Sequence, residues 1–184
     1  MAKSRDLEQR LERAEQQLRV FQRVSRLMAR ELDLDDALHE IVDLVCDFLR
    51  CESCLIYLVE EGELVLACSN DPGSRSIGKV RLRLDEGLTG WVARERRLLA
   101  ISREAYSDPR FKYFKDLPQD TFEAFLSVPI IAQNKVAGVI NVQHRDPYLH
   151  SGHDMEMLST LGEQVGCLLL LSKQGSAAAL LARP

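Results

Sequence analysis

Along the N-terminal segment apolar residues recur at alternating steps of four and three: Leu7, Leu11, Ala14, Leu18, Phe21, Ser25, Met28 and Leu32. That spacing is a heptad seam and predicts a coiled-coil helix over residues 1–31. Between Leu7 and Leu18 the remaining positions are all Glu, Arg or Gln, so the stripe is too narrow to cover a core and suits a second copy of itself. In a parallel dimer Arg10 and Glu15 stand at facing g and e positions, a pair worth a few tenths of a kcal/mol. Beyond Leu18 the stripe widens through Val20, Val24 and Leu27, as in a bundle of more than two helices. The alternative is a solvated amphipathic helix folded onto its own domain.

Asp33, Asp35 and Asp36 interrupt this helix with capping chemistry, and Ala37, Leu38, Ile41, Val42, Val45, Phe48 and Leu49 mark a second amphipathic helix. The period then changes to two. Residues 55–59 form a continuous apolar run, a strand covered on both faces, and residues 64–68 follow after Glu60-Glu61-Gly62-Glu63 to make a hairpin. Residues 79–84 alternate strictly and predict a half-buried strand. Residues 88–96 read as a short helix with the single tryptophan, Trp91, and 98–102 as another short strand. Residues 103–121 make a long polar and aromatic loop of the kind that binds ligands or acts as a lid. Strands at 124–131 and 136–144 are joined by a tight turn at Gln133-Asn134. The final helix, 152–173, presents Met155, Leu158, Leu161, Val165, Leu168 and Leu169 on one face, and Gln174-Gly175-Ser176 is expected to end it before a frayed tail, 174–184.

Strands this closely spaced leave no room for crossover helices. The pattern predicts an α+β fold with a six-stranded, mainly antiparallel sheet, helices on one face and the aromatic loop on the other. At 184 residues the chain suits one domain, 32–173, plus the N-terminal helix, and 46% hydrophobic residues suffice for a core. The net charge of −4 divides unevenly: residues 1–31 carry 8 basic and 5 acidic side chains, +3, and the rest 16 and 23, −7. No global basic field exists for nucleic acid. The longest apolar stretch, residues 177–182, is far below the roughly 20 residues of a membrane span. A charged start without an apolar export core, and an odd count of five cysteines, lead us to expect a cytoplasmic protein with reduced thiols.

Gly87-Leu88-Thr89-Gly90-Trp91, Asp108-Pro109-Arg110-Phe111 and Ser127-Val128-Pro129-Ile130 stand in the same order as in GAF domains. Residues 25–172 resemble that family, most of all the sensory GAF modules at the front of nitrogen-branch phosphotransferase Enzyme I and of NifA-type activators. The resemblance implies a small-molecule cavity on the sheet face opposite the helices. It also implies dimerisation through the terminal helices, here Leu7, Leu11, Leu18, Phe21 and Met28 with Leu161, Val165 and Leu168. With 13 residues after Leu171 no output module is expected to follow, so the chain reads as a sensor that signals to a separate effector protein.

Other constellations carry less. Cys51-Glu52-Ser53-Cys54 has redox spacing, yet a short helix-to-strand link offers no evident activating environment, and ordinary thiols are expected. Free methionine sulfoxide reductases share the fold but place reactive cysteines on mid-domain loops, and residues 69–166 here contain none. His144, His150 and His153 with Asp146 and Asp154 match no recognised metal site and read as an exposed loop. Of the cyclic-nucleotide pattern of GAF domains only Asp154 survives. Gly87-Leu88-Thr89-Gly90 lacks the Gly-Lys-Ser/Thr of a phosphate loop, Trp91 reads as core, and Ser127 has no triad partner at recognisable spacing. No enzyme activity, cofactor or metal is expected. The ligand site expected is a pocket for a small anionic metabolite walled by Tyr57, Tyr106, Phe111, Phe114 and Phe125, with Ser102, Arg103 and Ser127 as its polar groups and Arg103 taking a carboxylate. The same aromatics serve equally to close the sheet as core, which leaves a ligand-free interaction or dimerisation module as one alternative and a thiol- or metal-linked redox protein as another.

Overall fold

The computed structural model describes residues 2–30, 33–71, 76–112 and 122–181, with side chains for all of these except 2–6, 9 and 174–181. The elements run in the order α1 (Ala2–Met28), α2 (Leu34–Leu49), β1 (Ser53–Glu60), β2 (Glu63–Ser69), β3 (Arg81–Arg83), α3 (Gly87–Glu95), β4 (Leu99–Ile101), a 3-10 turn (Ala105–Ser107), β5 (Ala124–Ala132), β6 (Lys135–His144) and α4 (Gly152–Leu181). Among the described residues the strands make one six-stranded sheet in the order β3-β2-β1-β6-β5-β4, every pair antiparallel.

Local chemistry sets the joints. Asp33 caps α2, its Oδ1 accepting the Asp35 N–H at 3.0 Å. The β1–β2 hairpin turns at Glu61 and Gly62 and the β5–β6 hairpin at Gln133 and Asn134, both central residues having positive φ in each case. Such turns match the right-handed twist of the strands they join.

Period two then sorts the side chains. Cys54, Ile56, Leu126, Val128, Ile130, Ile140 and Val142 face one way, into a core built with α2, α4 and the second half of α1. Leu55, Tyr57, Leu66, Phe125 and Val139 face the other way, under α3. Each large side chain so buried contributes about 1.5–3 kcal/mol.

α4 lies unusually close to β5. A Cβ on Gly166 would come 2.2 Å from the Ile131 carbonyl oxygen, and one on Gly162 would come 3.0 Å from that of Pro129. Two glycines one turn apart therefore let helix backbone rest on strand backbone.

Three expectations need correction. The strand read at 79–84 is a ladder only over Arg81–Arg83, because the Lys79 and Val80 N–H groups turn back to the Ser76 carbonyl and the Arg83 carbonyl accepts the Glu86 N–H. α4 does not stop at Gly175 but runs to Leu181; a helical glycine costs only about 1 kcal/mol and the following Ala-Leu run favours helix. Leu161, Val165 and Leu168, expected at a dimer interface, are buried within the chain's own core, with relative exposures of 1, 0 and 9%. Of the expected interface positions, Leu7, Leu11 and Leu18 on α1 are left open, and Phe21 and Met28 are half-buried.

Gly166→Ala is expected to lower stability by about 2–3 kcal/mol through this contact, whereas Gly152→Ala, which meets nothing within 4 Å, changes it by less than about 0.5 kcal/mol. Urea denaturation of both variants measures the contrast, and equal effects would mean that α4 can lift off β5 freely.

Candidate functional site

The sheet face beneath α3 carries a buried polar chain in an otherwise apolar layer. Ser127 on β5 and Asn141 on β6 are register partners. The Ser127 hydroxyl donates to Asn141 Oδ1 at 2.6 Å, and Asn141 Nδ2 donates to Thr89 Oγ1 of α3 at 2.8 Å. None of the three is more than 6% exposed. The chain fixes α3 over the β5–β6 pair. It also uses the serine as a donor to an amide oxygen, which takes up no proton, so Ser127 is not an activated nucleophile.

At the edge of this face β4 leads into the segment 102–112. The Ser102 carbonyl accepts the Tyr148 N–H at 2.9 Å, and Glu104, in the left-handed region at φ 50, donates its N–H to Glu123 Oε2 at 2.9 Å. Asp108 accepts the Arg110 backbone N–H and both arms of its guanidinium, at 2.8 and 2.7 Å. The Arg110 hydrogen bond holds the Asp108 carboxyl below the usual carboxylate range, and Asp108 in turn raises Arg110. The guanidinium lies 4.6 Å above the half-buried Trp91 ring, a cation–π contact that ties the loop to α3. Lys112 pairs with Glu86 at the start of the same helix.

Of the expected pocket residues, Tyr57 and Phe125 are buried together in this layer and Phe111 packs against it. Ser127 belongs to the polar chain, Ser102 and Tyr106 are half-buried, Arg103 is exposed, and Phe114 lies outside the described residues. Sequence reasoning missed Asn141, Thr89 and the clamp made by Arg110. The signal for Asn141 was present: a lone amide on the inward side of an apolar strand must find a partner.

In the histidine segment residues 145–149 are exposed as expected, but two of the histidines are not. His144 and His150 are each only 4% exposed. Tyr148 stacks on His144 with ring centroids 4.1 Å apart, and His150 leans on both. The strand register turns His144 inward, and the link to α4 folds back over it. Burial lowers both pKa values, that of His150 to about 4, against a partial opposing pull on His144 from Glu52, 3.6 Å away, and on both from Asp154. Among the described residues no group of three or more His, Cys, Asp or Glu is arranged to hold a metal ion, and no helix is long and apolar enough to cross a membrane.

Residues 33–169 match the GAF domain family model. The chain belongs to the GAF domain family. The phosphoenolpyruvate-dependent phosphotransferase system protein of Escherichia coli K12 is 30% identical over 145 residues, 76% of this chain and 19% of that protein. The Nif-specific regulatory protein of Azospirillum brasilense is 25% identical over 78% of this chain and 24% of its own length. The chain thus spans about a fifth to a quarter of these curated relatives. Among solved structures, the GAF domain of a phosphoenolpyruvate-protein phosphotransferase from Coxiella burnetii superposes with a TM-score of 0.81 at 23% identity, covering 89% of this chain and 98% of that one. Free methionine-R-sulfoxide reductase from Neisseria meningitidis shares the fold at a TM-score of 0.71 and 17% identity, over 85% of this chain and 89% of the enzyme.

Two predictions concern this GAF domain's interior. Asn141→Ala, which leaves two buried hydroxyls unpaired and opens a void, is expected to cost about 3 kcal/mol, and Ser127→Ala about 1–2 kcal/mol, in denaturant midpoints. Losses below about 0.5 kcal/mol would remove the polar chain as a structural element. For His150, the unfolded ring takes up a proton near its ordinary 6.5 whereas the folded ring refuses it until about 4. The unfolded state binds more protons in that window, so stability falls as pH falls from 6.5 to 4, by up to about 3 kcal/mol. Thermal melts across that range should flatten in His150→Phe; an unchanged slope would assign the loss to other groups.

Proposed function

We propose that this GAF domain is a non-enzymatic sensory module that takes a small anionic metabolite at the sheet face under α3 and signals through a dimeric helical bundle to a separate effector protein. The observation that carries the signalling half is α1. Its second half seats Val20, Val24 and Leu27 in the main core, while Leu7, Leu11 and Leu18 on the first half are 68, 61 and 57% exposed. A helix docked at one end to the core on the opposite face of the same sheet, and presenting a heptad seam at the other, would serve as a transmission element, and a parallel coiled coil with a second copy would cover the seam. The regulatory assignment draws on the names of the relatives, a phosphotransferase-system protein and a Nif-specific regulatory protein. The absence of cysteine from residues 69–166 speaks against the reductase activity of the Neisseria enzyme.

For the ligand, Arg103 at the exposed end of β4 would take a carboxylate, with Ser102, Tyr106 and Phe111 at the mouth and Tyr57, Phe125 and Ser127 beneath. Binding would act by favouring one packing of the loop and α1 over another, to the extent that affinity differs between the two. The burial of Tyr57, Phe125, Leu66 and Val139 favours a second reading, a ligand-free dimerisation module whose sheet face is filled by its own side chains.

Thermal shift with a panel of dicarboxylates, oxo acids and amino acids separates the readings. A compound that raises the melting temperature of the native chain, with the gain lost in Arg103→Ala, is the expected outcome. No shift with any compound, in a chain that sediments as a dimer, would leave the ligand-free module; a monomer at micromolar concentration would overturn both.

A further inference from the structure

The end of β6 and the link to α4 hold buried imidazoles whose nitrogens are left unpaired. His144 Nε2, both ring nitrogens of His150 and His153 Nε2 are buried and have no hydrogen-bond partner among the described residues. A buried polar atom in that state costs free energy that exposure to water recovers. Glu52 Oε2 stands 3.6 Å from His144 Nδ1, beyond hydrogen-bond reach. The rings are held instead by their faces: Tyr148 over His144, His150 against both, and His153 tilted on Phe48 with centroids 5.9 Å apart.

The cover over these rings is slight. Residues 145–149 are exposed, Leu149 at 83%. The Tyr148 N–H fastens the link to the Ser102 carbonyl at 2.9 Å, and the Arg145 N–H fastens it to Glu52 Oε2 at 3.2 Å. Where α4 begins, the Ser151 N–H donates to Asp154 Oδ2 at 2.8 Å and the Asp154 N–H to Ser151 Oγ at 3.1 Å.

The charges around the rings favour the neutral form. Asp154 of α4 acts on His144, His150 and Tyr148, but its carboxylate is engaged by Ser151; Glu52, on the link before β1, acts on His144 and already accepts the Arg145 N–H. Arg13 of α1 acts on Tyr148, and Arg145 and Asp146 of the link itself are exposed. A proton on either ring would stand near the positive end of α4, with the other ring 5.1 Å away between centroids. Burial accordingly lowers the pKa of both, and His144 adds to the effect on His150, which falls to about 4.

We propose that the link 145–151 is a proton-operated latch, which lifts from the end of β6 as His144 and His150 take up protons and so lets go of the Ser102 carbonyl. Opening brings water to the unpaired nitrogens and solvates each imidazolium. Ser102 directly follows β4, so its release frees the start of the segment that closes the α3 face. On the helical side His153 bears on Phe48, which lines a groove of about 210 Å³ whose far wall is Gln16, Arg19 and Val20 of α1. One local opening therefore reaches both covers of the sheet, with or without a metabolite.

The test is amide hydrogen exchange of the full chain, followed by NMR between pH 7 and 5, with each rate divided by its intrinsic chemical rate. The most protected amides of β5 and β6 measure global unfolding. The Tyr148 amide, locked only while the link is closed, is expected to be less protected than these and insensitive to low urea, because a local opening exposes little surface. A freed ring titrates near 6.5 and the closed His150 near 4, so opening takes up a proton in that window and falling pH favours it. On His150 alone, Tyr148 protection is expected to fall about sevenfold from pH 6 to pH 5. His150→Phe should remove most of that fall, and His39→Gln, at an exposed histidine of α2, none of it. Should His150→Phe fail to fold, the urea response of the native chain still decides whether the opening is local. Tyr148 protection equal to that of the core amides, protection that does not fall with pH, or a fall that survives in His150→Phe would overturn the proposal.

Discussion

The central strands β1, β6 and β5 are apolar on both faces, and a sheet of that kind is stable only when water is kept from both. Most of the molecule is the means of doing so. α2, α4 and the second half of α1 cover one face, and α3 with the segment that follows β4 covers the other. The requirement reaches down to single atoms: α4 settles onto β5 only because residues 162 and 166 have no side chain, and the close contact in turn excludes water along the strand.

The two coverings are unequal, and the inequality bears on function. On the helical side a continuous core runs from the sheet through α2 and α4 to α1, so a change in the sheet layer is passed between close-packed side chains. On the other side a nine-residue helix and a single 3-10 turn do the same work, fastened by the Ser127–Asn141–Thr89 chain and by Arg110 lying across Trp91. A thin cover held by a few polar contacts opens at lower free energy than a thick apolar one. The face proposed to take a ligand and the face proposed to transmit its binding are two sides of the same strands, with Tyr57 on one side of β1 and Cys54 and Ile56 on the other.

Much of this organisation is legible in the order of residues. The 3.6 and 2.0 periods mark α2, β1, β2, β5 and β6, the Asp33 cap and the Glu61-Gly62 and Gln133-Asn134 turns mark their limits, and the three short motifs identify the GAF domain. The remainder is illegible for identifiable reasons. The length of β3 depends on the turns at Ser76 and Glu86 that draw its flanking backbone groups out of the ladder. The exposure of His144 and His150 depends on how the link to α4 folds back. Arg103 and Arg110 are alike in sequence, both cations in one loop, and only the position of Asp108 and Trp91 makes Arg110 the clamp and leaves Arg103 open to solvent.

What the sequence determined by itself is therefore whatever depends on near neighbours: which segments are helix or strand, which residues point to the same side, where the chain turns, and that both sides of the sheet are apolar. What only the tertiary structure decided is which distant residues meet. Glu52 precedes β1, Ser102 follows β4 and His144 closes β6, and no local rule brings them to one corner of the sheet; Ser127, Asn141 and Thr89 are likewise joined only when α3 lies across the sheet. Periodicity is a property of torsion angles within a few residues, whereas the chemistry of an imidazole or a buried amide is set by the atoms a few ångströms away, whatever their place in the chain.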